Sequence, residues 1–190
     1  AAGLDERVIT ETSKFYCSHI YRQFTDTTFK CLGSHGWIDV KNALNQSCNI
    51  YFYETGRLLG INRMNDYCTR FGLGQKTGVE INESSGVLAG IAYREAHGGT
   101  WYPGDTVQAA IGQSDNLFTP IQLCSYVSTI ANGGTRYRAH FVKSVKSSDY
   151  SETLLSNDGV VLHETGVSHN SRRIVKEGIE MRGARLTAFK

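Results

Sequence analysis

Only two prolines interrupt the 190 residues, and neither an apolar run of membrane-spanning length nor a block of like charge stands anywhere in the chain. With no proline-rich stretch and no internal repeat, there is no linker to separate two domains, and one domain over 1–190 is the expectation. A helix that crosses a bilayer needs roughly 18 consecutive apolar residues, so none is legible here. The opening Ala1-Ala2-Gly3-Leu4-Asp5 also lacks the basic and apolar regions of a secretory signal. The 20 basic and 18 acidic residues are interspersed and leave a net charge of +2, which excludes a polybasic face and with it a nucleic-acid partner. What is present suffices for a core: 40% of residues are hydrophobic and 11% aromatic, in a chain long enough to bury them without disulfides. The five cysteines are an odd number, so they cannot all be paired within the chain.

The apolar pattern is helical in the middle and strand-like late. Residues 1–38 show little periodicity and read as irregular loop with short extended pieces. Asp39 is placed to cap a helix carrying Val40, Ala43 and Leu44; Ser47-Cys48-Asn49 breaks it, and Ile50, Phe52, Tyr53, Leu58 and Leu59 continue to Gly60. Asn62 is a candidate cap for a third helix, with Met64, Tyr67, Cys68 and Phe71 on one face and Gly72 as its stop. Thr119-Pro120 predicts a helix with Ile121, Leu123, Cys124, Val127 and Ile130 as its apolar face, ending at Asn132-Gly133-Gly134. Strands are expected within Thr135 to Val145 and near 153–155 and 160–162, then a short helix from Ser171. Core packing is the expected role of Cys68 and Cys124, and equally of Tyr51, Phe52 and Tyr53.

Ser47-Cys48-Asn49 puts a hydroxyl and an amide on one tight turn, able to relay a proton and to hold a substrate amide. Taken alone, it is also what a helix break looks like. Its surroundings decide. The run VKNALNQSCNIYFYETG over 40–56 resembles the helix and second active-site motif of class B penicillin-binding proteins. Further on, WYPGDTVQAAIGQSDNLFTPIQL over 101–123 and ANGGTRYRAHFV over 131–142 resemble that family's later segments in the same order. The Trp-Tyr-x-Gly-Asp-Thr wording, with the His-Gly ahead of the Ser-x-Asn helix, is most similar to the elongation-type, penicillin-binding protein 2-like members.

The resemblance implies an α+β fold of the penicillin-binding-protein and serine β-lactamase type, represented mostly by its helical subdomain. It implies acyl transfer on peptidoglycan stem peptides, inhibition by β-lactams, other cell-wall synthesis proteins as partners, and a place at the extracytoplasmic face of a bacterial membrane. Ser47 and Asn49 are the catalytic-site residues it transfers; Gly112, Gln113, Thr119 and Pro120 are read as scaffold.

Such enzymes need Ser-x-x-Lys, Ser-x-Asn and Lys-Ser/Thr-Gly, and no serine of this chain has lysine three residues on. Thr27-Thr28-Phe29-Lys30 imitates the first motif too close to Ser47. Lys76-Thr77-Gly78 imitates the third but precedes the Thr-Pro-x-Gln segment it should follow, and reads as a structural turn. The expectation is therefore a domain truncated at both ends, inactive by itself, with the family's pattern lost over 184–190. A non-catalytic scaffold of the cell-wall machinery is the alternative reading, and a β-lactamase a weaker one.

Cys17, Cys31, His35 and Cys48 form Cys-x13-Cys-x3-His-x12-Cys, the ligand types of tetrahedral structural zinc at looser spacing than a zinc finger's. A metal there would tie the irregular loop to the Ser-x-Asn turn. A Cys17–Cys31 disulfide, or free thiols with Cys48 as a small buried apolar residue, stand as alternatives.

Overall fold

The structure is a computed structural model describing residues 1–187; the end of the stretch 184–190 lies outside the described residues. In chain order the elements are α1 (Ala2–Asp5), β1 (Phe15–Cys17), β2 (Ile20–Tyr21), β3 (Phe29–Lys30), β4 (Gly36–Ile38), α2 (Val40–Gln46), α3 (Asn49–Leu59), α4 (Ile61–Arg70), α5 (Ile91–Ala96), α6 (Pro103–Ala109), α7 (Pro120–Ala131), β5 (Thr135–Tyr137), β6 (Ser144–Lys146), β7 (Thr153–Ser156), β8 (Val161–Glu164) and α8 (His169–Thr187). This is the α+β content the sequence predicts. The chain folds as two compact units, one made of 1–67, 89–116 and the segment from Val167 onward, the other of 68–88 and 117–166.

The first unit is built around α2 and α3. Asp39 caps α2 as expected, its carboxylate accepting from the Asn42 N–H at 3.0 Å. The helix ends at Ser47 and α3 restarts at Asn49. Tyr51 and Tyr53 on α3 are buried, Tyr51 against Phe15 (ring centroids 5.0 Å apart) and Tyr53 against Tyr21 and Phe29. The ribbon pairs β1–β4 and β2–β3 are thereby plastered onto α3 by aromatic contact. Burial pushes the Tyr51 phenol well above its ordinary range, with the Asp39 charge adding to the effect.

Two glycines allow the helices to approach. A Cβ at Gly56 would collide with that of Ala110, just past α6, and one at Gly178 on α8 would lie 2.6 Å from a Leu44 methyl on α2. The α2–α8 contact is rimmed by a ring of alternating charge. Lys41 meets Glu11 at 2.8 Å and Glu177 at 3.1 Å, and Arg173 meets the same two carboxylates at 3.0 and 2.6 Å. These groups are partly solvated, so the ring orients α8 more than it stabilises it.

The start of the chain is tied in by Asp5, whose carboxylate accepts from the Ser168 N–H and the Ser171 hydroxyl. Two expectations are corrected here. Asn62 is not a cap, because α4 already begins at Ile61, directly after Gly60 at φ +80°. The helix expected from Ser171 begins at His169 and runs 19 residues.

In the second unit, α7 has the predicted ends. Thr119 accepts from the Gln122 N–H while the Gln122 side chain accepts from the Thr119 N–H at 2.9 Å, with Pro120 at the first helical position. Its buried face differs from the one expected: Gln122, Thr129 and Ile130 are buried, while Leu123, Cys124 and Val127 are exposed. The cause is Gln122, whose amide donates to the carbonyls of Gln75 at 2.6 Å and Ser85 at 2.7 Å and so turns a polar side of α7 inward. Cys124 is consequently a surface thiol, not a core residue, and Cys68 is only half-buried. The strands pair as two antiparallel ribbons, β5 with β8 and β6 with β7.

Replacing Gly56 by valine forces α3 and α6 apart. Urea unfolding of the Gly56→Val chain is expected to show a loss of about 1–3 kcal/mol, the usual cost of overpacking, whereas an unchanged midpoint would contradict the close helix approach.

Candidate active-site turn and metal centre

Ser47 leaves α2 in the left-handed region, at φ 54° and ψ 50°. For a residue with a Cβ this conformation is held only where the surroundings dictate it. They do so through the backbone: the Cys48 N–H donates to the Ala43 carbonyl at 2.9 Å, closing α2, and Cys48 stands in extended conformation as the residue before α3. Ser47 and Asn49 are half-buried while Cys48 between them is fully buried. The alternation sends the hydroxyl and the amide toward the accessible side and the thiol inward.

Three further contacts fix this turn, none of which the sequence pattern announces. The Asn49 side-chain amide donates to the Lys30 carbonyl at 3.2 Å, the Asn49 backbone N–H donates to the Cys31 sulfur at 3.2 Å, and Arg182 of α8 donates to the Asn45 carbonyl at 3.0 Å. The loop before α2 thus grips the turn from one side and α8 holds the end of α2 from the other.

Inward of the turn, Cys17, Cys31, His35 and Cys48 converge, their potential ligand atoms all within 4.8 Å of one another. His35 Nδ1 is 3.3 Å from Cys17 Sγ and 3.6 Å from Cys31 Sγ. All three cysteines are buried and unpaired thiols. Each ligand comes from a different place: Cys17 ends β1, Cys31 follows β3, His35 precedes β4 and donates its backbone N–H to the Cys17 carbonyl at 3.1 Å, and Cys48 lies between α2 and α3.

The thiols are electrostatically unequal. Burial pushes Cys48 far above the ordinary thiol range. Burial acts the same way on Cys31, but the backbone N–H groups of Gly33, Ile50 and Asn49, with Cys17, outweigh it and hold Cys31 below its ordinary value. Donor atoms around a tetrahedral zinc with Zn–S bonds of 2.3 Å lie about 3.8 Å apart, so shifts of no more than about 1 Å in these separations would bring the set onto such an ion. Three sulfurs and one imidazole are a chemically fitting set.

Two other sequence candidates are placed elsewhere. Lys76-Thr77-Gly78 lies in an irregular loop of the second unit, not a strand: the Thr77 N–H and hydroxyl and the Gly78 N–H all donate to the Glu83 carboxylate, at 2.9, 2.8 and 2.7 Å. Although burial pushes the Glu83 carboxyl up, these donors bring it below its ordinary value. In Thr27-Thr28-Phe29-Lys30, the last two residues form β3 and Phe29 packs on Phe24 and Tyr53.

The sequence model described as the penicillin binding protein transpeptidase domain matches residues 1–185. Among curated proteins, the chain is 33% identical over 115 residues to the peptidoglycan D,D-transpeptidase MrdA of Salmonella typhimurium, covering 60% of this chain and 18% of that protein. It is 32% identical over 129 residues to the MrdA of Acinetobacter baumannii, covering 67% and 18%. Among solved structures, Pseudomonas aeruginosa PBP2 matches 93% of this chain and 40% of its own with a TM-score of 0.77 at 28% identity. A chain of a peptidoglycan synthase complex matches 96% of this chain and 30% of its own with a TM-score of 0.83 at 27% identity. The chain therefore spans less than half the length of the relatives it matches, and it belongs to the penicillin-binding protein transpeptidase family, among its PBP2-like class B members.

Proposed function

We propose that this chain supplies the Ser-x-Asn element of a peptidoglycan D,D-transpeptidase acting at the extracytoplasmic face of a bacterial membrane. The observation that carries this reading is the Ser47-Cys48-Asn49 turn, held in left-handed conformation between two helices inside a chain of this family. In such an enzyme a serine hydroxyl attacks the carbonyl of a D-Ala-D-Ala peptide, D-alanine departs, and an amine of a neighbouring stem peptide resolves the acyl-serine. The attacking serine belongs to a Ser-x-x-Lys segment that this sequence does not contain.

Ser47 is assigned to the proton relay with that lysine. Asn49 is assigned to the acyl side-chain amide of the substrate or of a β-lactam. A carboxamide has two N–H donors and one acceptor. One donor on the Lys30 carbonyl, with the Tyr53 phenol also in hydrogen-bond interaction with the amide, orients the group for a ligand. The names of the relatives, a D,D-transpeptidase and a component of a peptidoglycan synthase complex, support stem peptides as substrate and cell-wall synthesis proteins as partners.

Cys17, Cys31, His35 and Cys48 are proposed to hold a structural zinc ion. When bound it would neutralise thiolate charge and cross-link the 17–35 loop to the active-site turn. Cys48 supplies the inward ligand, leaving Ser47 and Asn49 on either side of it for the chemistry.

Two measurements test these readings. A fluorescent penicillin is expected to leave the 190-residue chain unlabelled and to acylate a version extended at both ends to include Ser-x-x-Lys and Lys-Ser/Thr-Gly. Labelling of the short chain would reveal a nucleophile within it, and labelling of neither would favour a non-catalytic scaffold. Metal analysis after zinc loading is expected to find one zinc per chain, lost in Cys31→Ser and retained in Cys124→Ser; retention in Cys31→Ser would refute the ligand set.

A further inference from the structure

The members of the thiol cluster are unequally anchored. Cys48 is fixed at the junction of α2 and α3, its backbone N–H bound to Ala43 and its side chain wholly buried. Cys17 and Cys31 both sit on the ribbon segment before α2, at the ends of two short strand pairs. They face the same His35 nitrogen at 3.3 and 3.6 Å, and their sulfurs lie within 4.8 Å of one another. A disulfide needs about 2.05 Å between sulfurs. Cys17 ends a three-residue strand and Cys31 follows a two-residue one, so both partners of this pair can shift toward each other, the ribbons being held to α3 by side-chain contact and not by their own pairing. Closure onto Cys48 would draw on movement from one side only, because Cys48 is held at the junction of two helices.

We propose that Cys17 and Cys31 are a reversible oxidation site, forming a disulfide with each other at the expense of the metal and so coupling the redox state of the loop to the Ser47-Cys48-Asn49 turn. The co-reactant is a disulfide, whether a small molecule or a dithiol oxidase. One thiol of the pair attacks a sulfur of the oxidant and displaces the first oxidant thiol. The second cysteine then attacks the mixed disulfide and displaces the other. Two electrons pass from the cysteine pair to the oxidant, whose two sulfurs leave with the two protons, and one S–S bond is exchanged for another.

A Cys17–Cys31 bond consumes two of the four donors, leaving His35 and Cys48, too few to hold the ion. It also takes away the Cys31 sulfur that now accepts from the Asn49 N–H at 3.2 Å, so the change is felt at the turn. Displacement of the metal rests on the zinc reading above; the choice of pair does not.

The test treats zinc-loaded and metal-free Cys124→Ser chain with oxidised glutathione. Zinc release is followed with a chromogenic chelator, remaining thiols are alkylated, and disulfides are mapped by peptide mass spectrometry. The expected result is loss of two thiols per chain as the Cys17–Cys31 disulfide in both samples, with one zinc released per disulfide from the loaded one and both changes reversed by dithiothreitol. Disulfides through Cys48, glutathione adducts in place of an internal bond, or oxidation with zinc retained would overturn the proposal. A chain that forms Cys17–Cys31 but never binds zinc would remove the zinc reading and leave the oxidation site standing.

Discussion

The convergence of Cys17, Cys31, His35 and Cys48 is the constraint on which the first unit depends. The segment from Phe15 to Ile38 contains two antiparallel ribbons of two strands each, none longer than three residues, and isolated ribbons of that size do not hold themselves together in water. Two things hold them. Phe15, Tyr21 and Phe29 pack on the aromatic side chains of α3, with Phe24 against Tyr21 and Phe29, and Cys17, Cys31 and His35 gather within 4.8 Å of Cys48. The aromatic contacts are non-directional and fix which face is covered. The sulfur and imidazole contacts are directional and fix the register of the loop against the Ser47-Cys48-Asn49 turn.

The turn is consequently held from two directions. On the ribbon side, the Lys30 carbonyl and the Cys31 sulfur accept from the two nitrogens of Asn49. On the other, α8 lies against α2 through Gly178 and Leu44, with Arg182 donating to the Asn45 carbonyl near the end of α2. A left-handed serine between two helices is an unfavourable conformation that these contacts must maintain. Preorganisation of this kind is what the roles proposed for the Ser47 hydroxyl and the Asn49 amide require, since positional error at a catalytic site is costly in rate.

How much of this was legible in the sequence follows from the range of the interactions. The α2–turn–α3 unit could be read from Asp39, the polar tripeptide and the flanking apolar residues, because caps and breaks are local and each residue type states its own role. The ends of α7 were equally clear from Thr119-Pro120 and Asn132-Gly133-Gly134. Its buried face was not: Leu123, Cys124 and Val127 have the apolar periodicity, but Gln122 finds two carbonyls from remote loops and sets the orientation instead. Tertiary hydrogen bonds of that sort leave no mark on hydrophobic pattern. The four metal-type ligands could be nominated from their chemistry alone, whereas their meeting at one point needed the ribbons to fold. The clamps from Lys30 and Arg182 were invisible because one acts through a backbone carbonyl and the other bridges residues 137 apart in sequence.

On this account the 17–35 loop and the Ser47-Cys48-Asn49 turn are one mechanical unit joined through Cys17, Cys31, His35 and Cys48, the proposed zinc ligands. Amide hydrogen exchange on the zinc-loaded chain, before and after a chelator, tests it most directly. Protection at Cys31, His35, Cys48 and Asn49 is expected to fall together on metal removal while α7 is unaffected. Loss of protection in the loop with the turn unchanged would contradict the account.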